Sequence, residues 1–250
     1  MPQTPRPNPD HLEAIRHTLS HLLAAAVLER YPDARLAIGP PIEHGFYYDI
    51  DTPNPITLAD LPKLEQRMRE LIKQKLPVEP VKLKNLAEAG RGVGNSPYKR
   101  ELVEEHAGKG EPITFFRIGT FTDLCRGGHI EQTGEINPQA FKLTRVAGAY
   151  WRGDSTQPML QRIYGVAFAT KHELDQHLKL LAEAEARDHR KLGSELELFA
   201  FEPIAPGAPF WLPHGMTVIR QLEQPLAFLA HARAVLQAIP EVTPDDPTIV

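Results

Sequence analysis

Several features are missing from this sequence of 250 residues, and each absence excludes a class of protein. The single cysteine, Cys125, excludes an internal disulfide framework and fits a reducing compartment. No apolar run approaches the roughly 18 residues that a membrane-spanning helix requires. The polar, proline-rich start MPQTPRPNPD has no apolar core of a secretion signal. We therefore predict a cytoplasmic protein that does not contact a membrane.

The chain also lacks an excess of positive charge. Its 28 Lys and Arg residues stand against 32 Asp and Glu residues, which gives a formal net charge of -4. Such a balance is not typical of a protein that binds nucleic acid over its whole surface. Any contact with RNA is therefore expected from local basic patches, although a solvated surface charge is the ordinary explanation of each basic residue.

The hydrophobic pattern predicts an α+β protein. Apolar residues at helical spacing predict helices over 10–30, 58–76 and 171–191, with Asp10 as the N-cap of the first helix. Short apolar runs bounded by glycine and proline predict a strand, a turn and a strand over 36–50 and an antiparallel sheet over 113–168.

The same pattern predicts four segments along the chain. Residues 1–10 are expected to be a disordered N-terminus, 11–170 the main domain and 171–195 a linker helix. A shift in composition near residue 195 marks the best domain boundary. The remaining segment, 196–250, is too short for an independent domain of any complexity.

Two histidines, His17 and His21, lie four residues apart in the first predicted helix and therefore share one helix face. That face lies opposite the leucine-rich stripe and carries small or neutral neighbours, which indicates that it is covered as well. We therefore expect the two histidines to line a cleft. The metalloprotease motif H-E-x-x-H is excluded, because the sequence between them is T-L-S and contains no glutamate.

A second cluster of reactive residue types lies in the segment D-L-C-R-G-G-H over 123–129. Cys125 and His129 are close enough to share a site, and the two glycines allow a tight turn between them. Together with the helix histidines they form a four-ligand set suited to zinc, or equally to acid–base chemistry. A buried cysteine and a hydrogen-bonded core histidine are the structural alternative.

A lysine, Lys99, follows a glycine-rich loop over 90–97. A lysine that a loop places near a reacting ester could hold a ribose or phosphate group, or stabilise a developing oxyanion. On the sequence alone, an ordinary surface lysine is the simpler interpretation.

Five blocks in the sequence resemble, in order, the editing domain of threonyl-tRNA synthetases. They are R-H-T-L-S-H-L-L (16–23), A-I-G-P with G-F-Y-Y-D (37–49), D-L-C-R-G-G-H (123–129), A-G-A-Y-W-R-G-D with L-Q-R-I-Y-G (147–165), and R-D-H-R-K-L-G (187–193). Alanyl-tRNA editing proteins carry similar histidine and cysteine sets, but the A-Y-W-R-G-D block favours the threonyl type.

The resemblance implies an α+β fold, an antiparallel sheet with packed helices, followed by a helical linker. It implies an editing domain over 11–170, of which about 113–168 resembles the second additional domain, and a truncated start of a class II catalytic domain over 196–250. The ATP site would lie beyond residue 250. Ligation of threonine is therefore not expected of this chain.

The resemblance also implies the residues of the site. The catalytic set is His17, His21, Lys99, Asp123, Cys125 and His129. Arg126, Arg152 and Arg162 lie within these blocks and are predicted to contact tRNA. The alanyl relatives hold zinc with the residues that correspond to His17, His21, Cys125 and His129. The threonyl type works with an ordered water, so we expect no cofactor to be required.

The predicted activity is hydrolysis of seryl-tRNA that was wrongly charged on a threonine tRNA. The partner would be the aminoacylated 3′ end of that tRNA, with a full-length synthetase as a further candidate. Two alternatives remain at this point: an inactive fragment of a threonine–tRNA ligase, and a zinc-dependent deacylase of the alanyl type.

Overall fold

The computed structural model describes residues 9–90 and 93–238. The α-helices of these residues are α1 (Pro9–Arg30), α2 (Leu61–Lys73), α3 (Pro97–Gly108), α4 (Lys171–Ala186), α5 (His189–Glu195) and α6 (Pro213–Ala238). The strands are β1 (Arg35–Leu36), β2 (Pro41–Ile42), β3 (Gly45–Asp51), β4 (Val78–Val81), β5 (Phe115–Ile118), β6 (Phe121–Leu124), β7 (Phe141–Tyr150), β8 (Met159–Ala167), β9 (Phe199–Phe201) and β10 (Pro209–Trp211). The mixture of helices and antiparallel strands confirms the predicted fold class.

The chain divides into two compact units between Leu178 and Lys179, inside α4. The composition of the sequence placed the boundary near residue 195 instead. The single linker helix predicted over 171–195 is wrong, because α4 ends at Ala186 and α5 begins at His189. The break has a local cause: the backbone of Asp188 is not helical, with ψ at 117°, and its side chain accepts a hydrogen bond from the Arg190 N–H, which caps the new helix.

The first unit is built on a five-stranded antiparallel sheet in the order β1-β3-β8-β7, with β2 also paired to β3. Alternate residues of β3, namely Phe46, Tyr48 and Ile50, are fully buried. They belong to the main core together with apolar residues of α1 and α2. The period of two along β3 therefore separates a core face of the sheet from an outer face.

A second antiparallel sheet, in the order β4-β5-β6, stands apart from the first. The sequence predicted one sheet over 113–168, and this prediction is wrong in its pairing. Strands β5 and β6 pair with β4, whereas β7 and β8 pair with β3. Alternating hydrophobicity reports that a segment is a strand, but it carries no information on which strand lies beside it.

Helix α1 lies at the centre of the first unit. All residues over 18–27 are buried, so every face of the helix in this stretch is covered by protein. The prediction of a helix that is covered on both sides is confirmed. The N-cap prediction is wrong, because α1 already includes Pro9 and places Asp10 in its first turn.

The second unit contains an antiparallel hairpin of β9 and β10, followed by α6. Of the predicted disordered N-terminus, residues 1–8 lie outside the described residues, and Pro9 and Asp10 are helical. Residues 239–250 of the predicted segment 196–250 also lie outside them. Among the described residues, every helix is too short or too polar to cross a membrane.

Candidate active site

A pocket of about 400 Å³ opens beside α1. Its walls come from α1, from residues 38–41 at the start of β2, from α3, and from residues 112–114 and 123–126 around β5 and β6. His17, His21, Lys99, Asp123 and Cys125 all line it. Five of the six predicted catalytic residues thus face one cavity, and the sixth, His129, contacts Cys125, His17 and His21.

The two helix histidines lie side by side, as their spacing predicts. Their ring centroids are 5.1 Å apart, and each ring is within 4.6 Å of the ring of His129. Burial distinguishes the two, because His21 is only 2% exposed whereas His17 is half-buried. His17 is therefore the helix histidine that solvent reaches more easily.

The loop after β6 carries the cysteine and the third histidine to this pair. Gly127 and Gly128 have φ angles of 102° and 81°, a region that residues with a Cβ rarely adopt. The turn places the Cys125 Sγ 3.1 Å from His129 Nε2 and 3.3 Å from His17 Nε2. The prediction that the glycines allow Cys125 and His129 to share a site is confirmed.

Thr18 fixes the proton position on His129. Its hydroxyl donates to the Ala14 carbonyl at 2.9 Å and lies 3.2 Å from His129 Nδ1. Since the hydroxyl proton is already used, the imidazole must donate from Nδ1, and its Nε2 lone pair then faces Cys125. The sequence around Thr18 does not predict this role, because its partner His129 lies 111 residues further along the chain.

Lys99 and Asp123 form a buried ion pair on the other wall of the pocket. Lys99 Nζ lies 2.9 Å from Asp123 Oδ1, and the two side chains are 3% and 1% exposed. The Tyr48 hydroxyl donates to Asp123 Oδ2 at 2.5 Å, and the Leu124 N–H donates to Oδ1 at 2.8 Å. We call Lys99, Asp123 and Tyr48 the lysine network.

Lys99 follows the glycine-rich loop and belongs to a helix. It lies in the first turn of α3, where the Ser96 hydroxyl accepts a hydrogen bond from its backbone N–H. Ser96 in turn donates to the Leu36 carbonyl at 2.6 Å, which ties the start of the helix to the main sheet. A capped helix holds the lysine in a more defined position than a loop would.

Tyr48 belongs to the site although no motif in the sequence predicts it. It is fully buried on the core face of β3, and its hydroxyl reaches Asp123, 75 residues further along the chain. The alternation of β3 could have identified it as an inward residue. A buried tyrosine normally finds a partner for its hydroxyl, so that position was a candidate for a polar contact.

Burial makes the four residues His17, His21, Cys125 and His129, which we call the tetrad, uncharged. Burial lowers the pKa of His17 and lowers that of His21 well below the usual range. Burial, followed by the neighbouring histidines, lowers the pKa of His129 to about 2, and burial raises the pKa of the Cys125 thiol to about 11. Near neutral pH the tetrad therefore consists of three neutral imidazoles and a thiol.

One atom of the tetrad is without a partner. His21 Nδ1 is buried and makes no hydrogen bond, and its distance of 3.6 Å to Asp123 Oδ2 is too long for one. An unsatisfied buried polar atom is unusual in a folded protein and costs about 1–3 kcal/mol. The tetrad and the lysine network therefore approach each other here without bonding.

The tetrad also fits a zinc ion by its chemistry. One ligand atom from each residue can be chosen so that all four lie within 4.8 Å of one another. A tetrahedral zinc with bonds of about 2.0–2.3 Å would hold its ligands roughly 3.3–3.8 Å apart, so the set would contract slightly. The hydrogen bond of His129 to Thr18 is of the kind that orients a metal-binding histidine.

Of the arginines predicted to contact tRNA, Arg126 lines the pocket. Its side chain is 73% exposed and lies 2.7 Å from Glu111 and 3.2 Å from His106 Nδ1. This exposure leaves Arg126 accessible to an anionic ligand at the pocket mouth.

The other two predicted arginines are not among the residues that line the pocket. Arg152 contacts Glu101 and Glu105 of α3. Arg162 forms a bidentate pair with Asp49, at 2.6 and 2.8 Å, and lies over the ring of Tyr47. Their contact with tRNA remains a prediction.

One protein family matches a part of this chain, and several known proteins are similar to most of it. Residues 113–164 match the family described as the threonyl and alanyl tRNA synthetase second additional domain. The threonine–tRNA ligase of Thermotoga petrophila is 49% identical over 219 residues, which are 86% of this chain and 33% of that protein. The ligase of Thermus thermophilus is 49% identical over 227 residues, or 86% of this chain and 34% of that protein.

A ligase from Paracoccus denitrificans gives a similar result, with 48% identity over 213 residues that cover 85% of this chain and 33% of that protein. The chain spans about a third of the length of the curated relatives it matches. The family match lies on β5 to β8, and the longer similarities extend over most of the chain. Together they show that the chain is similar to the editing-domain region of threonyl-tRNA synthetases.

Proposed function

We propose that this chain hydrolyses the ester bond of seryl-tRNA formed in error on a threonine tRNA. The observation that carries the proposal is the convergence of the uncharged tetrad and the buried Lys99–Asp123 ion pair on one pocket. Similarity to threonine–tRNA ligases supports tRNA as the ligand. The mechanism below follows from the contacts of these residues.

The need for such a site follows from the chemistry of the substrates. Serine lacks one methyl group of threonine, and a binding pocket gains only about 1–3 kcal/mol from such a group. A second pocket that admits serine and excludes threonine by size supplies the missing discrimination. A volume of about 400 Å³ accommodates an aminoacyl group with its ribose.

In the proposed reaction, a water molecule attacks the carbonyl carbon of the aminoacyl ester. We assign His17 as the group that orients this water and accepts its proton, because His17 lines the pocket and is more exposed than His21. The carbon–oxygen ester bond then breaks, and the proton passes to the departing ribose oxygen. The products are free serine and uncharged tRNA.

Lys99 is the proposed stabiliser of negative charge on the carbonyl oxygen. One N–H donor of its ammonium group is directed to Asp123 Oδ1, 2.9 Å from Nζ. The other N–H donors are left for the substrate. Asp123 already accepts bonds from Lys99, Tyr48 and the Leu124 N–H. We therefore propose that Asp123 positions Lys99, and a substrate amine would have to share this carboxylate with the lysine.

The experiment is a deacylation assay on seryl and threonyl esters of threonine tRNA. Wild type is compared with His17→Ala and with His11→Ala, a matched control on the same helix whose side chain is 40% exposed and does not line the pocket. We expect fast loss of serine, slow loss of threonine, activity in the control and none in His17→Ala. Folded protein that hydrolyses neither ester would contradict the proposal and favour an inactive ligase fragment.

A second candidate function is a zinc-dependent deacylase, because the donor set of the tetrad fits this metal. Bound zinc would supply a Lewis acid at the tetrad. Metal analysis of the purified protein, with the same assay repeated after chelation, separates the two candidates. Stoichiometric zinc, together with activity on alanyl-tRNA that chelation removes, would favour the second candidate.

A further inference from the structure

We propose that the outer face of β3, β8 and β7 binds the single-stranded 3′ end of the tRNA through a row of tyrosine and arginine side chains. The row consists of Tyr47, Tyr164 and Arg145, with Arg162 beside it, and we call it the Tyr–Arg row. It extends the proposed function, because it supplies a path for the nucleotides that precede the aminoacylated end.

Strand register aligns the row. Tyr47 of β3 lies directly opposite Tyr164 of β8, which lies directly opposite Arg145 of β7. The two tyrosine ring centroids are 5.8 Å apart. With strands about 4.8 Å apart, the row spans about 10 Å, which is close to the length of three stacked nucleotides at about 3.4 Å each.

The two arginines lie flat against the two tyrosines. The Arg162 guanidinium carbon is 4.0 Å from the centre of the Tyr47 ring, and that of Arg145 is 4.0 Å from the centre of the Tyr164 ring. Guanidinium planes held in this way offer both a stacking surface for a base and N–H donors for a phosphate. Their orientation is fixed before a ligand arrives, which reduces the entropy lost on binding.

Charge distinguishes the two arginines. Arg162 is neutralised by its bidentate pair with Asp49, which is 4% exposed, so it serves as part of the framework. Arg145 is exposed, and no carboxylate forms an ion pair with it within the part of the chain that the structure describes. Lys142, also exposed, lies three residues before Arg145 on the same strand and adds a second positive charge. This end of the row is complementary to a phosphate backbone.

The other end of the row begins beside the pocket. The backbone N–H of Tyr47 donates to the Pro40 carbonyl at 3.4 Å, and Pro40 lines the pocket. A strand whose last nucleotide occupies the pocket can therefore cross the edge of the sheet at residues 40–41 and continue over Tyr47 towards Arg145. An RNA strand is the occupant that matches both the flat side chains and the positive charge.

The test measures binding of two uncharged RNAs to the full chain by fluorescence anisotropy at several salt concentrations. One RNA is a threonine tRNA transcript, and the other is the same transcript without its three 3′-terminal nucleotides. The central variant is Arg145→Gln. The matched control is Arg30→Gln, because Arg30 is also exposed and lies over a tyrosine, Tyr31, but at the far end of α1.

We expect Arg145→Gln to weaken binding of the intact transcript by roughly five-fold or more, since one stacking or phosphate contact is lost. The slope of log affinity against log salt should become shallower by about 0.7, the value for one phosphate contact to a single strand. Binding of the shortened transcript should not change, and Arg30→Gln should match wild type with both RNAs.

Two variants at Tyr164 sharpen the result. Tyr164→Phe keeps the ring under Arg145 and should bind the intact transcript like wild type, whereas Tyr164→Leu should bind it as weakly as Arg145→Gln. Equal weakening of both transcripts by Arg145→Gln, or no weakening of either, would overturn the inference. Wild type that binds neither RNA would also overturn it and would favour a protein partner on this face.

The readout does not depend on hydrolysis. If wild type fails to hydrolyse seryl-tRNA but shows the expected binding pattern, the proposed reaction is wrong and the RNA surface stands. If hydrolysis is found but the variants bind normally, the reaction stands and the surface is wrong.

Discussion

The tetrad and the lysine network both contribute side chains to the same pocket, but they differ in charge. The tetrad is uncharged near neutral pH, because burial shifts each pKa towards the neutral form. The lysine network contains a cation and an anion 2.9 Å apart, and Tyr48 and a backbone N–H satisfy the carboxylate further. Burial thus has two different outcomes in neighbouring groups: the tetrad side chains are neutral, whereas Lys99 and Asp123 form an ion pair.

The difference indicates a division of labour. A neutral imidazole can accept a proton from water, and the tetrad offers several such groups in contact. In the lysine network, a buried ion pair at 2.9 Å holds the ammonium group of Lys99 at a fixed place beside the pocket. Three predictions test whether the two networks differ energetically as this comparison requires.

The largest effect is expected from Asp123→Asn, which leaves the Lys99 ammonium buried without its counter-charge. We expect the free energy of unfolding to fall by about 3–5 kcal/mol in urea denaturation. The control is Asp175→Asn, which breaks an ion pair with Lys171 whose two side chains are more than half exposed, and should cost about 1 kcal/mol or less. Equal losses in the two variants would show that burial of the Lys99 pair is not the source of its effect.

An intermediate effect is expected from acid, measured with a chelator present. A folded-state pKa of about 2 for His129, below its ordinary value near 6.5, means that the unfolded chain takes up a proton first as the pH falls. The stability that this histidine contributes is therefore complete above about pH 6.5 and is lost progressively below it, down to about pH 2. Between pH 6.5 and 5 the loss amounts to about 2 kcal/mol.

The check is the pH dependence of urea unfolding for wild type and His129→Asn. Removal of the histidine should make the acid slope shallower by about one proton. Parallel curves for the two proteins would mean that His129 is protonated in the folded state as readily as in the unfolded one.

The smallest effect is expected from His21→Met. The His21 Nδ1 atom makes no hydrogen bond in the folded protein. Replacing the imidazole with an apolar side chain of similar size therefore removes a buried polar atom without breaking a hydrogen bond at that atom. We expect a change in the free energy of unfolding of less than about 1.5 kcal/mol in either direction, although hydrolysis should be lost. A loss as large as that of Asp123→Asn would show that the tetrad, like the lysine network, depends on a bond at this atom.

Much of the site could be predicted from the sequence because its signals are local. The four-residue spacing of His17 and His21 gives a shared helix face, and the glycines beside Cys125 allow a tight turn. The roles of Thr18 and Tyr48 were missed for the opposite reason. Each makes a bond that depends on a partner distant in sequence, His129 for Thr18 and Asp123 for Tyr48.

Prediction of the fold from the sequence is limited in the same way, because contacts between distant residues leave no local signal. Periodicity correctly indicated that α1 is covered on more than one side, and it indicated strands over 113–168. It could not indicate that β5 and β6 leave the sheet of β7 and β8, because alternation is identical for a strand in either sheet. The break between α4 and α5 depends on a cap at Asp188 within a run that otherwise has helical character.

The sequence by itself determined the residue types of the site, the helix that carries two of them and the turn that carries two more. Only the tertiary structure decided that these pieces meet, with Cys125 reaching His17 across 108 residues of chain. It also decided which groups are charged, since the same burial neutralises His129 and leaves Lys99 paired. The physical reason is that helical spacing and turn conformation are set by neighbours in sequence, whereas solvent exclusion and ion pairing are set by whatever the fold brings close.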